Sequence, residues 1–253
     1  MMALLLPVLL LAAGLAVFLP APVDAEARVL QHVFSLVVQI AAAATTALLL
    51  FGAARGYARR DHERRVWHLI AAATASWAGG LLTYALLEWF GRMRPYPSSA
   101  DAFLLLAFLL LFVALLEEFR LVNRMLTARQ RLALAGFGAL LWIVVVGGFM
   151  WPLLLAPVDG LEKGLDLVYA SMVALLLPLA LGPAMAFRGG TSGYIWLGVA
   201  LGVAALALAA LGFAYLTSYD LYSDVHPINL LRVLGLAGLG ASAAWHRRMI
   251  EAV

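Results

Sequence analysis

The sequence predicts an all-α fold, a polytopic transmembrane helical bundle of eight spans in a single integral membrane domain over residues 1–253. Three observations carry that expectation. The 253 residues are 65% hydrophobic and only 12% charged, whereas a soluble domain is about 45–50% apolar and about 25% charged. Mean hydropathy is +0.97. The apolar residues also fall into runs close to the roughly 20 residues that cross a bilayer. A water-soluble globule and a disordered chain are excluded on this balance. The formal charge of +3 and a pI near 9.4 do not point to nucleic acid, because the basic residues sit mostly in short loops. With no Cys, disulfides, thiolate zinc sites and Cys nucleophiles are excluded.

The first apolar run, Ala3–Leu19, is read as a retained helix. Ala25-Glu26-Ala27 resembles a small-x-small cleavage site, but no Lys or Arg precedes the run, as a signal peptide requires. Its removal would leave seven spans. Val29–Ala53 follows and ends at the charged loop Arg55 to Arg65. Trp67–Phe90 leads into a loop whose Pro95 and Pro97 restrict the backbone. Ser98 and Asp101 then form a capping box for Ala102–Phe119. Leu132–Leu155 lies between the loop of Arg120 to Arg131 and an acidic loop with Asp159 and Glu162. Leu165–Phe187 opens with Leu165-Asp166 and ends at Arg188. Tyr194–Thr217 and Pro227–Trp245 complete the set, and Arg247 and Arg248 occupy the tail.

Arg placement sets the sidedness. Arg55, Arg59, Arg60, Arg64, Arg65, Arg120, Arg124, Arg129, Arg131, Arg188, Arg247 and Arg248 fall on one side, against Arg28, Arg92, Arg94 and Lys163 on the other. The Arg-rich side is expected to be cytoplasmic, with the C-terminus. The opposite loops carry Asp24, Glu26, Asp101, Asp159, Glu162, Asp166, Asp220 and Asp224. Three helices entering from that side begin alike, at Asp101, Asp166 and Asn229, which suggests a repeat of helical hairpins. Capping of free N–H groups explains each position taken alone.

Particular residues carry a resemblance. Arg64-Arg65-Val66-Trp67, then Trp77-Ala78-Gly79-Gly80, then Arg94-Pro95-Tyr96-Pro97-Ser98-Ser99-Ala100-Asp101-Ala102-Phe103-Leu104 resemble the multi-helix membrane sensor region upstream of bacterial diguanylate cyclase (GGDEF), phosphodiesterase (EAL) and histidine kinase domains. The likeness extends to Leu165-Asp166 and to residues 220–229, within residues 30 to 246. Asn229 and Arg232 depart from it, since such regions more usually show Asp and Trp there. No output domain follows before Val253. The resemblance therefore implies a stand-alone sensor-like subunit or the membrane part of something longer.

Ionisable groups within a span are functional candidates by default. Glu88, near the outer end of the third span, and Arg232, inside the eighth, are expected to pair directly. The alternative is that each snorkels to the interface. Trp77, Tyr84 and Glu88 share one face of the third span, and His32, Ser35 and Gln39 share one face of the second. With Asp101, Asp166, Tyr169, Asn229 and Arg232 they are expected to line an outward-facing ligand pocket. The plain alternative is interhelical hydrogen bonding. Gly79-Gly80, Gly136/Gly138 and Gly198/Gly202 are read as close-packing faces. Trp89, Tyr96, Trp151, Tyr219 and Tyr222 are read as an aromatic belt.

His32 and His226 near one face and His68 and His246 near the other suggest axial haem ligands only weakly. The single Lys, Lys163, lies in a loop, which excludes a retinal Schiff base in a span. Neither a Glu-x-x-His metal pair nor a Gly-x-Ser-x-Gly elbow occurs, so no metal, cofactor or catalytic residue is expected. The expected function is non-enzymatic: an inner (plasma) membrane sensor or receptor-like domain that passes a ligand or membrane signal to a cytoplasmic or membrane signalling partner. Two rivals stand beside it, an accessory or scaffold subunit of a larger membrane complex and a haem- or lipid-binding membrane protein.

Overall fold

A computed structural model describes residues 2–20, 24–91, 97–151, 155, 160–218, 221–223 and 225–251. The positions singled out at Arg92, Arg94, Pro95, Tyr96, Asp159, Tyr219, Asp220 and Asp224 lie outside that set. The described residues form eight helices: α1 Met2–Phe18, α2 Ala25–Ala54, α3 His62–Trp89, α4 Ser99–Val122, α5 Ala128–Trp142, α6 Gly160–Ala186, α7 Thr191–Ser218 and α8 Ile228–Glu251. The last turns of α5 continue as a π-helix, Ile143–Met150, across a β-branched run and Gly147-Gly148. α2 to α4, α5 together with its π-helical continuation over Ala128–Gly148, and α6 to α8 are long and apolar enough to cross a membrane, and α1 is a shorter apolar helix. The chain is thus an all-α bundle of the multi-pass membrane kind.

Capping residues and charged end turns make most helices longer than the apolar runs alone. Asp24 accepts a hydrogen bond from the Ala27 N–H and starts α2 four residues before Val29. Ser98 and Asp101 form the expected capping box and start α4 at Ser99. Thr127 and Gln130 form a second one at α5. The helices that open at Asp101, Asp166 and Asn229 do not share a register. Asp101 lies in the first turn of α4, Asp166 nearly two turns into α6, and Asn229 second in α8.

α2, α3, α4, α6, α7 and α8 pack in that order as a ring, with α8 closing on α2. α1 lies outside against α2 and α8, and α5 lies outside against α6. α8 is the most enclosed, with 56% of its apolar window buried, whereas α5 has 17%. Glycines permit the tightest contacts. A Cβ on Gly235 would lie 2.7 Å from the Gly202 carbonyl oxygen, and one on Gly202 would lie 2.9 Å from the Gly235 carbonyl oxygen. α7 and α8 therefore meet backbone to backbone, a geometry that small residues allow in membranes. Gly80 is close-packed on Leu104 and Gly138 on Pro178, but Gly136 faces open space. At the centre of the ring Trp77, Thr74, Phe108, Leu206, Leu236 and Leu239 border a cavity of about 10 Å³, at most the room of one water.

Candidate functional site

Two polar clusters occupy opposite ends of the ring. The first lies at the Arg-poor end and contains most of the residues expected from sequence. Its centre is Asp101, which is 3% exposed. The capping box orients this carboxylate: Oδ2 accepts from the Ser98 N–H at 2.7 Å and the Ser98 hydroxyl at 3.0 Å. Oδ1 accepts from Tyr84 on α3 at 3.1 Å and Tyr169 on α6 at 3.2 Å. One side chain thus ties three helices and serves both as helix cap and as interhelical acceptor. Phe108 continues the contact, edge-on to Tyr169 and tilted against Trp77. Asp166 sits one turn before Tyr169 on α6.

The stripe on α2 divides between two neighbours. Gln39 is buried; its amide nitrogen donates to the Ser35 hydroxyl at 3.1 Å, and its carbonyl accepts from Arg232 Nη1 at 2.7 Å. His32 lies 3.1 Å from Glu88 on α3. The structure therefore corrects the expected Glu88–Arg232 pair. Glu88 faces α2 and meets a histidine, and the ion pairs among the described residues do not include Arg232. The error came from reading depth without azimuth, since similar depth on α3 and α8 does not bring two side chains together across the ring. Arg232 lies over Phe213 of α7. Asn229 is fully buried and exchanges hydrogen bonds with Tyr222. Tyr222 thus belongs to this cluster, while Trp89 and Trp151 are exposed as the belt reading expects.

Sequence reasoning missed the second cluster, at the Arg-rich end. His246 of α8 is buried, hydrogen-bonded through Nε2 to the Tyr57 hydroxyl and stacked on Trp67, which leans on Trp196. Glu118 of α4 is buried with His62 at 3.5 Å, and Glu117 pairs with Arg65 at 2.7 Å. A signal for Glu118 was present, because it continues the apolar helical stripe of Ala107, Leu111 and Ala114, and all four prove buried. His246 likewise continues the buried series Gly235, Leu239 and Ser242.

Burial, with Glu63, Glu118 and Asp61 adding to it, pushes the Tyr57 phenol from 10.0 up to about 12. Tyr57 therefore stays protonated through pH 10. Because its folded value is raised, its contribution to stability is present below pH 10.0 and is lost as pH climbs toward about 12. Alkaline difference absorbance between wild type and Tyr57→Phe is expected to show one phenolate with a midpoint about two units above the ordinary value of about 10. A midpoint at the ordinary value contradicts the packing at this end.

The other histidines are engaged locally. His226 Nδ1 accepts from the Ile228 N–H at the start of α8, and His68 Nδ1 meets the Arg64 carbonyl. Comparison of the chain with protein-family models, with curated proteins and with solved structures finds no match.

Proposed function

We propose that the chain is a sensor or receptor-like membrane domain whose Arg-poor end faces outward and whose Arg-rich end meets a signalling partner in the cytoplasm. It carries out no catalysis itself. The observation that carries this reading is the position of α8. Arg232 and Asn229 near its start belong to one cluster, and His246 near its end belongs to the other. The two ends of the contact lie about 21 Å apart along one helix. A stimulus that changes the packing of α8 against α2 and α7 moves both ends together, a small helix shift of the kind by which packed interfaces switch. The excess of Arg at one end supports the sidedness. The resemblance of the Trp77 to Leu104 stretch to bacterial sensor regions supports the class.

One observation favours the accessory-subunit alternative. Leu132, Leu140, Ile143 and Val144 on α5 and its π-helical end are all largely exposed, a face that another membrane helix can cover as readily as lipid.

The Cys-free chain allows a direct test. Spin labels at Arg124→Cys and Glu251→Cys report the separation of the Arg-rich ends of α4 and α8 in lipid nanodiscs. Adding Tyr169→Phe, which weakens the opposite cluster, is expected to shift the distance distribution by roughly 1–2 Å or to populate a second distance. An unchanged distribution overturns the sensor reading and favours the accessory one.

A further inference from the structure

We propose that Arg232 is the binding residue for an anionic oxygen group, a phosphate or carboxylate, which enters at the Arg-poor end where α2, α7 and α8 meet. This names the ligand class for the sensor reading and rests on it.

The guanidinium keeps its charge at any accessible pH and carries five N–H donors. Among the described residues one of them is used, by Nη1 on Gln39 at 2.7 Å. Gln39 fixes the orientation without neutralising the charge. Its amide nitrogen is already committed to Ser35, so only its uncharged carbonyl is turned toward Arg232. Phe213 lies 5.8 Å from the guanidinium carbon. Arg232 Nε is buried and has no hydrogen-bond partner among the described residues.

Among the described residues, the carboxylates Asp101 and Glu88 at this end are engaged with other groups. Asp101 accepts from Ser98, Tyr84 and Tyr169, and Glu88 meets His32. Among the described residues no carboxylate pairs with Arg232. An uncompensated cation about a turn inside an apolar helix is costly, and so is a buried N–H without an acceptor.

The donors left over have a definite shape. Because Gln39 takes Nη1 and Nε is enclosed, Nη2 is the guanidinium nitrogen left to meet a ligand. Its N–H groups and the delocalised charge match an oxygen of a phosphate or carboxylate, and a small shift of the side chain brings Nε onto a second one. Val33 and Phe34 on α2 and Phe213 and Tyr215 on α7 are exposed apolar residues near the same end, so the acyl chains of a phospholipid can lie beside the site. A lipid phosphate and a free anion offer the same chemistry and are separated by experiment.

The test follows thermal unfolding of the whole protein in neutral detergent by Trp fluorescence. One arm adds inorganic phosphate against chloride at equal ionic strength. The other adds phosphatidylglycerol against a galactolipid that lacks phosphate. At about a hundred times the dissociation constant, wild type is expected to gain roughly 5–10 °C in at least one arm. Arg232→Gln should lose at least half of that gain, whereas Arg248→Gln at the opposite end should keep it. A gain with phosphate identifies a free anion, and a gain with phosphatidylglycerol alone identifies a lipid headgroup. Absence of gain in both arms, or equal gains in wild type and Arg232→Gln, overturns the proposal. If Arg232→Gln does not fold, Arg232→Lys takes its place: it keeps the charge but not the fork, so a gain cut by half supports the site and an undiminished gain overturns it. The sensor reading is judged separately. A distance shift on Tyr169→Phe without an anion-dependent gain leaves a sensor for another ligand, and the converse leaves an anion site that does not transmit.

Discussion

Asp101→Ala is expected to destabilise the bundle by roughly 3–5 kcal/mol, since each buried donor that loses its acceptor costs about 1–3 kcal/mol and the α4 cap is lost as well. Tyr84 would keep its hydroxyl in a part-buried setting without the carboxylate, and Tyr169 would be left with the main-chain carbonyl of residue 101 at 3.3 Å. For a chain of this size that loss lowers Tm by roughly 10 °C. Asp101→Asn retains one acceptor oxygen and should lose about half as much. Tyr84→Phe with Tyr169→Phe in the Asp101→Ala background should recover part of the loss, because neither side chain then has a hydroxyl that has lost the carboxylate. Scanning fluorimetry in one detergent measures the whole series. A loss below about 1 kcal/mol for Asp101→Ala means that the carboxylate is not the shared acceptor.

Gly235→Val is expected to be at least as damaging, by roughly 3 kcal/mol or more, or to give no folded protein. The added Cβ at 2.7 Å meets a backbone oxygen rather than a yielding side chain, so α7 and α8 must separate along their length. Gly136→Ala is the internal control with the opposite sign. That glycine faces open space within α5, and removing a mid-helix glycine stabilises by about 1 kcal/mol. Equal effects at the two positions would contradict the packing described for α7 and α8.

Helix number and order were legible in the sequence because apolar run length and loop charge decide them locally. Ser98 and Asp101 also identified the start of α4, since a capping box is a contact within four residues. Which faces meet was less legible. Gln39 was read correctly as a polar bundle-facing residue, yet its partner, Arg232, was assigned to Glu88. The ring order of the helices decides that pairing, and depth along each span does not reveal ring order. Gly136 and Gly138 show the same limit, because only Gly138 touches a neighbour. The His246 cluster escaped because Tyr57, Glu118 and His246 come from a loop and two helices far apart in the chain. Each alone looks like an ordinary residue at the membrane edge.

The threading of the chain through the bilayer places Asp101 and Arg232 on one face and His246 on the other. Single cysteines supply the most direct test, since the chain has none of its own. Glu63→Cys lies at the start of α3 and Lys163→Cys at the start of α6, with three candidate spans between the two positions. In intact cells a membrane-impermeant maleimide is expected to label Lys163→Cys at once and Glu63→Cys only after permeabilisation. Labelling of both from outside, or the reverse order, contradicts the arrangement.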